Sequence, residues 1–208
     1  MMSQHSSGGV GTVVVLNGPS SSGKSSLARA LQDRWPGLLL DGGLDRHLGM
    51  LPRAYLGPSW SHVYRYAYGP DGTIRAISVG PAGERLHRGM HRAVAALAGS
   101  GCDVVVDHVL LERRWALDLV QVLEGVPTVL VGVRLPAEVL ARRERERADR
   151  TLGQALAQLP AVHSHGGYDV QVDTSVLTPD EAAEVVLGRV AADGVPTAAA
   201  RWRHDLGS

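Results

Sequence analysis

This sequence predicts an α/β fold in which a five-stranded parallel sheet lies between two layers of helices. Three observations predict it. Short apolar runs alternate with helical patterns along most of the 208 residues, and that alternation signals βαβ units. The runs are apolar at successive positions and rich in β-branched residues, as strands buried on both faces are. The first run passes through a Gly/Ser-rich loop directly into an amphipathic helix.

Taken in order, "TVVVL" (12–16) is the first strand. "SSLARALQDRW" follows as a helix, with Leu27, Ala28, Leu31 and Trp35 at three-to-four spacing. "LLLD" (38–41) is the second strand. "ERLHRGMHRAVAALAG" is a long helix closed by Gly99 and Gly101. "DVVVDHVLL" holds the third strand, "RRWALDLVQVLEG" a helix and "PTVLVGVRL" the fourth strand. "PAEVLARRERERADR" opens on Pro136, a residue suited to a helix start. "YDVQVDTS" is the fifth strand. "TPDEAAEVVLGRVAA" is the last helix, with Thr178 as cap, Pro179 at the first position and Glu181 reaching back. The expected organisation is a flexible leader over 1–11, one domain over 12–192 and a loosely ordered tail over 193–208. Within the domain, 52–80 breaks the rhythm. It holds Tyr55, Trp60, Tyr64, Tyr66 and Tyr68, five of the nine Trp and Tyr residues, followed by the hairpin turn "GPDGT". It reads as an insertion over the sheet.

Composition excludes several classes. The chain is 44% hydrophobic and 20% charged with no Phe, so the core must be mostly Leu, Val and Ala. The formal net charge is zero, which disfavours a nucleic-acid partner. Cys102 is the lone cysteine, so neither an internal disulfide nor a cysteine metal cluster is available; this fits a cytoplasmic setting. The start "MMSQHSSGGVG" lacks the pattern of a signal peptide, and no apolar run approaches the ~18 residues a membrane helix needs. Oligomeric state stays open, a homo-oligomer included.

The loop carries the chemistry. Gly18-x4-Gly23-Lys24-Ser25 is a complete G-x4-G-K-[ST] phosphate loop. Glycines let backbone N–H groups turn around an anion, and the helix beginning at Lys24 aims its positive end at the same anion. Lys24 is the only lysine; every other residue among the 21 Lys and Arg is an arginine. A compact ammonium is kept at the one place where a slim point charge is wanted. A plain strand-to-helix turn would need neither the lysine nor this context. The reading is a P-loop NTPase of nucleotide-kinase-like fold, with ATP on Gly18, Pro19, Ser20, Ser21, Ser22, Gly23, Lys24, Ser25 and Ser26, and Mg²⁺ on Ser25.

Two acids stand just after strands, where ligands gather in such sheets. Asp107 closes "DVVVD" and fits the magnesium side; otherwise it is a strand-terminating acid. Asp45 in "DGGLDRHLGMLP" fits the acceptor side, relieving a hydroxyl of its proton; otherwise it caps the helix that follows. Asp41 competes, or bonds the Gly-Gly turn. "LARRERERADR" carries Arg142, Arg143, Arg145, Arg147 and Arg150 between acids. It reads as a solvated helix laced with pairs such as Glu138–Arg142, from which at least one of Arg143, Arg147 and Arg150 faces the transferred charge. The expected assignment is Arg143 and Arg147 to catalysis beside Lys24 and Asp45, and Arg150 to the nucleotide. His163 and His165 lack a recognisable third metal ligand and read as a loop feature. His108 reads as a crevice-lining residue without chemistry.

The blocks "VVVLNGPSSSGKSSLARAL", "GLDRHLGMLP", "VVVDHVLLE", "VGVRLPAEVLARRERERADR" and "HSHGGYDVQVDTSVLTPDEAA" together resemble the chloramphenicol phosphotransferase family, in order, from about residue 12 to 192. The resemblance implies a kinase-like P-loop fold and ATP-dependent phosphorylation of a primary hydroxyl of chloramphenicol. It implies that Asp45 is the general base and that Gly18, Gly23, Lys24, Ser25 and Ser26 bind ATP. Asp107 matches the first acid of the family's D-D-V block; here His108 replaces the second. "RERERADR" matches the arginine-bearing lid (137–160), and "YDVQVDTS" lies near the adenine end. The 52–80 segment departs most, so the acceptor is expected to be a small hydroxylated molecule, antibiotic-like but not necessarily chloramphenicol. The alternatives are a kinase of a nucleoside or other metabolite and a non-catalytic ATP-binding regulator.

Overall fold

In the computed structural model, which describes residues 9–147, 152–192 and 196–208, β1 (Val13–Asn17) is buried along its whole length. It pairs in parallel with β5 (Asp103–His108) on one side and β6 (Thr128–Arg134) on the other. β2 (Leu39–Asp41) adds to β5 and β7 (Val170–Asp173) to β6, giving the order β2-β5-β1-β6-β7 with every pairing parallel. Parallel neighbours need long crossovers, and helices supply them. α1 (Lys24–Arg34) and α7 (Pro179–Ala191) cover one face with Val14, Leu16, Val105 and Val131 beneath them. α3 (Pro81–Gly99) and α4 (Arg113–Val122) cover the other, over Val13, Val15, Val104 and Val106. The side-chain alternation of a strand thus feeds two cores from one apolar run. Thr178 and Glu181 form the expected capping box of α7.

The tail corrects an expectation. Instead of a loose end, Ala198–Gly207 forms helix α8, and Trp202 is 1% exposed. Ala198, Ala199, Trp202 and Leu206 make a helical stripe that seals the α4 side of the core. The Trp202 indole N–H donates to Gly167 O (2.8 Å), and Arg203 donates to Val120 O (2.8 Å). Small and polar composition hid an apolar stripe of four residues.

The 52–80 segment lies outside the sheet. It forms two 3₁₀ turns (Arg53–Leu56 and Trp60–His62) and an antiparallel hairpin of β3 (Tyr64–Tyr68) and β4 (Ile74–Val79). The arginine-rich region forms α5 (Ala137–Glu146) and α6 (Gln154–Val162). Glu144, 3% exposed, ties the two together by accepting from Gly153 N and Ala155 N, both at 2.7 Å. The Ile74 amide then donates to Leu152 O (2.9 Å), so hairpin and α6 are joined. Among the described residues no helix is long and apolar enough to cross a membrane.

Candidate active site

The loop after β1 is shaped by its own residues. Gly23 has φ 89°, a left-handed conformation that glycine adopts without a side-chain penalty, and it delivers the chain into α1. Ser21 shares the positive φ, at 60°. No side chain caps α1, so its first-turn N–H groups face the loop. Lys24 is 5% exposed; its ammonium donates to Pro19 O at 2.7 Å and stands 3.5 Å from an Asp107 carboxylate oxygen. Ser25 Oγ donates to the other Asp107 oxygen at 2.7 Å. The register explains this meeting: Asp107 lies beside Leu16, one residue before the end of β1. The Ser21 and Ser22 hydroxyls are buried without partners among the described residues. A cradle of amides, buried hydroxyls and one ammonium, with an acid–hydroxyl pair at its edge, fits a nucleotide phosphate with its Mg²⁺.

Asp45 arrives from the next crossover. It sits in α2 (Leu44–Leu48), whose N-cap is Gly43, so the capping role open to Asp45 belongs to another residue. Asp41 holds the turn: it accepts from Gly43 N (3.0 Å) and from Arg46 Nε (2.7 Å). A side chain at Gly43 would stand 3.1 Å from Asp107 Cβ, so a bare backbone is what lets α2 press against the end of β5. Asp45, Asp107 and Ser20–Ser26 therefore line one cavity of about 540 Å³.

The far wall of that cavity is aromatic and aliphatic. Tyr64, Tyr66 and Tyr68 alternate along β3 and face it together, with Trp60, Leu44, Leu48 and Leu56 around them. Trp60 packs on Tyr64 at 5.4 Å between ring centres. Tyr55 instead packs on His62. The period-two spelling "YRYAY" was the signal that these tyrosines share one face. Gln154 and Gln158 of α6 complete the lining, and the Gln158 carbonyl accepts from Ser20 N at 2.6 Å. Nothing in the local sequence marks Gln158, because its partner lies 138 residues away.

The arginines divide. Arg143 donates to Thr174 Oγ1 (3.1 Å) and Thr174 O (2.6 Å), and Thr174 Oγ1 donates to Ser22 O (2.8 Å). It braces the loop from behind and lines a second cavity with Val176, Leu177 and Pro179. Arg147 lines both cavities, at the border between them. Arg142 pairs with Glu146 at 4.0 Å. Arg150 lies outside the described residues.

Two histidine expectations are refined. His108 does not line the crevice: it is fully buried on the α3 side of β5. Its Nδ1 accepts from Val109 N (2.8 Å), and its Nε2 faces His91 Nε2 (2.9 Å). His163 Nδ1 bonds the Tyr168 hydroxyl (2.8 Å), and His165 Nε2 bonds Leu110 O (2.9 Å), so they serve separate partners. Sequence reasoning also missed Asn17, 1% exposed, which donates to Val162 O (2.6 Å) and Tyr168 Oη (2.8 Å) and accepts from Leu110 N (3.0 Å).

Comparison with known proteins agrees with this geometry. The profile of the chloramphenicol phosphotransferase-like protein family matches residues 11–191. A curated protein of Mycobacterium tuberculosis, present in strains CDC 1551 and H37Rv and carrying the provisional name O-phosphotransferase, is 32% identical over 180 residues. The match covers 83% of this chain and 79% of the relative. Among solved structures, an unliganded sugar kinase from Janibacter superposes with a TM-score of 0.62 at 19% identity, covering 87% of this chain and 94% of that one. The M. tuberculosis APS kinase, solved with AMPPNP and APS, gives a TM-score of 0.59 at 17% identity, covering 89% and 100%. The P-loop kinase fold is thereby shown.

Proposed function

This chain belongs to the chloramphenicol phosphotransferase-like family, and from that premise we propose that it moves the γ-phosphoryl group of ATP onto a hydroxyl of a small, partly apolar molecule, an antibiotic such as chloramphenicol or a relative of one. One observation carries the reading: a single cavity joins Lys24, Ser25 and Asp107 at one end to Asp45 and an aromatic wall at the other.

The residues take the following roles. Backbone N–H groups of Gly23–Ser26 at the start of α1 hold the phosphates, Gly18, Pro19 and Ser20 shape the loop around them, and Lys24 swings from Pro19 O onto their far end. Ser25 and Asp107 would hold Mg²⁺, which would offset charge on the phosphate oxygens. Asp45 accepts the proton of the attacking hydroxyl and keeps it in place; a positioned base contributes about 10²–10⁴ in rate. Arg147 faces the transferred group. Arg143 acts through Thr174, as a positioning residue for the loop. The second cavity, between Arg143 and the Val176–Pro179 turn, takes the base end of the nucleotide. The aromatic wall holds the acceptor by its apolar faces.

The test is ADP release with a panel of hydroxylated antibiotics and nucleosides, with each product weighed for the gain of one phosphate. Asp45→Asn should abolish transfer, by about 10²–10⁴-fold, while ATP affinity stays unchanged. Full transfer by Asp45→Asn across a pH series would remove Asp45 from the mechanism. Turnover of nucleosides alone would replace the antibiotic reading by a metabolite kinase.

A further inference from the structure

The cavity wall rests on a buried histidine cluster that the roles above do not use. Tyr64 is part of the wall, and its Oη lies 2.7 Å from His87 Nε2. His87 is fully buried, stacked on Trp115 at 4.1 Å with an interplanar angle of 16°. Its Nδ1 has no hydrogen-bond partner among the described residues. Burial, aided by the neighbouring His91, pushes the His87 pKa down to about 3, so the ring is neutral and carries one N–H.

Its neighbours decide which nitrogen carries that proton. His108 Nδ1 accepts from Val109 N, so the His108 proton sits on Nε2 and is donated to His91 Nε2. The His91 proton must then sit on Nδ1, donated to Asp118 Oδ2 at 2.7 Å. Neither ring keeps a lone pair for His87. A proton on His87 Nδ1 would be a buried N–H donor with no acceptor, the rarer and costlier kind of orphan. With the proton on Nε2, His87 donates to the tyrosine oxygen and leaves only a bare lone pair behind. The phenol proton is then turned away from His87 and needs another acceptor, and the cavity that Tyr64 lines can supply one. Burial, with Tyr66 and Asp45 adding to it, holds the Tyr64 pKa above its ordinary value, so the phenol keeps that proton.

We propose that Tyr64, oriented by His87, is a hydrogen-bond donor at the acceptor end of the cavity and selects alcohols that carry a second oxygen beside the hydroxyl to be phosphorylated. This rests on the alcohol-transfer reading above. The attacking hydroxyl gives its proton to Asp45 and needs its lone pair for phosphorus, so a donor on that oxygen would oppose attack. The productive partner of Tyr64 is a neighbouring oxygen: a second hydroxyl, an ether or an amide carbonyl. His87 is a positioning residue.

Two measurements test it. First, ¹⁵N NMR of the imidazoles at neutral pH, with the His87 signal assigned by loss in His87→Gln, should show the proton on Nε2; a proton on Nδ1 overturns the proposal. Second, 3-phenylpropan-1-ol and 3-phenylpropane-1,2-diol are titrated into protein loaded with AMPPNP and Mg²⁺. The diol should bind about fivefold tighter, the worth of one net hydrogen bond. Tyr64→Phe should level the two. His87→Gln, whose amide N–H can replace the ring N–H, should keep the preference, and His87→Leu should lose it, with folding of each variant checked by thermal melting. Equal binding of both alcohols by the unmodified protein overturns the selection. Binding of neither counts against the alcohol reading itself, while the NMR result still decides whether Tyr64 is free to donate.

Discussion

At one end of the cavity seven consecutive residues, Ser20–Ser26, form the wall; at the other, Asp45, Leu56, Trp60, Tyr64 and Leu111 arrive from stretches spread over more than sixty residues. The phosphate end is a local structure. Its conformation is set by Gly23, its charge by Lys24 and the start of α1. The aromatic end is an assembly, held by contacts among the hairpin, α2, α6 and the end of β5. The difference teaches where specificity can change: a wall built from separate stretches can be altered one stretch at a time while the loop keeps its chemistry.

The contrast can be broken most sharply at Lys24. Lys24→Met should cut phosphoryl transfer about 10³-fold, the scale of losing one preorganised charge stabiliser, and leave the fold intact. ADP release and circular dichroism together check this. Undiminished turnover would mean that the local end does not hold the phosphates. Next comes Asn17, which couples the two ends by bonding β1 to Leu110 and Val162. Asn17→Leu should cost about 3 kcal/mol, because it strands buried backbone partners. Urea unfolding measures it, and a loss below about 1 kcal/mol would show that the ends are coupled elsewhere.

Glu144 sharpens the comparison from the assembled side. Glu144→Gln weakens two charge-assisted bonds to Gly153 and Ala155, an expected cost of about 2 kcal/mol. Hydrogen exchange should quicken at α6 and the Ile74 amide while the α1 amides stay protected. The smallest effect is pH-dependent. Unfolded His87 takes up a proton near pH 6.5, folded His87 only near 3, so in that window the unfolded state binds more protons and stability falls as pH falls. Each such histidine contributes about 1.4 kcal/mol per pH unit. Denaturant midpoints at pH 7.5, 6.5 and 5.5 should show a shallower slope for His87→Gln. An unchanged slope would place the titration in other groups.

Sequence and structure agree best where interactions are close in the chain. Thr178, Pro179 and Glu181 announce the capping box of α7 because all three act within one turn. The strands announce themselves because burial on both faces demands apolar residues throughout. The tail is a helix rather than a loose end because Ala198, Ala199, Trp202 and Leu206, scattered among polar residues in the sequence, form one apolar stripe only when the segment is helical and packed on the core. Arg143 and Arg147 look alike in sequence, four residues apart. Only the position of Thr174, brought up beside the loop by β7, sends the first to a bracing role and leaves the second at the cavity border.

What the amino-acid order determined alone is the α/β alternation, the phosphate loop and its one ammonium, since each depends on neighbours within a few residues. The tertiary structure alone decided that Asp45 and Asp107 share a cavity, that Gln158 reaches Ser20, and that three buried histidines back the aromatic wall. The physical reason is distance: hydrogen bonds and ring contacts act over a few ångströms in space, and no spacing along the chain encodes which remote residues will come that close.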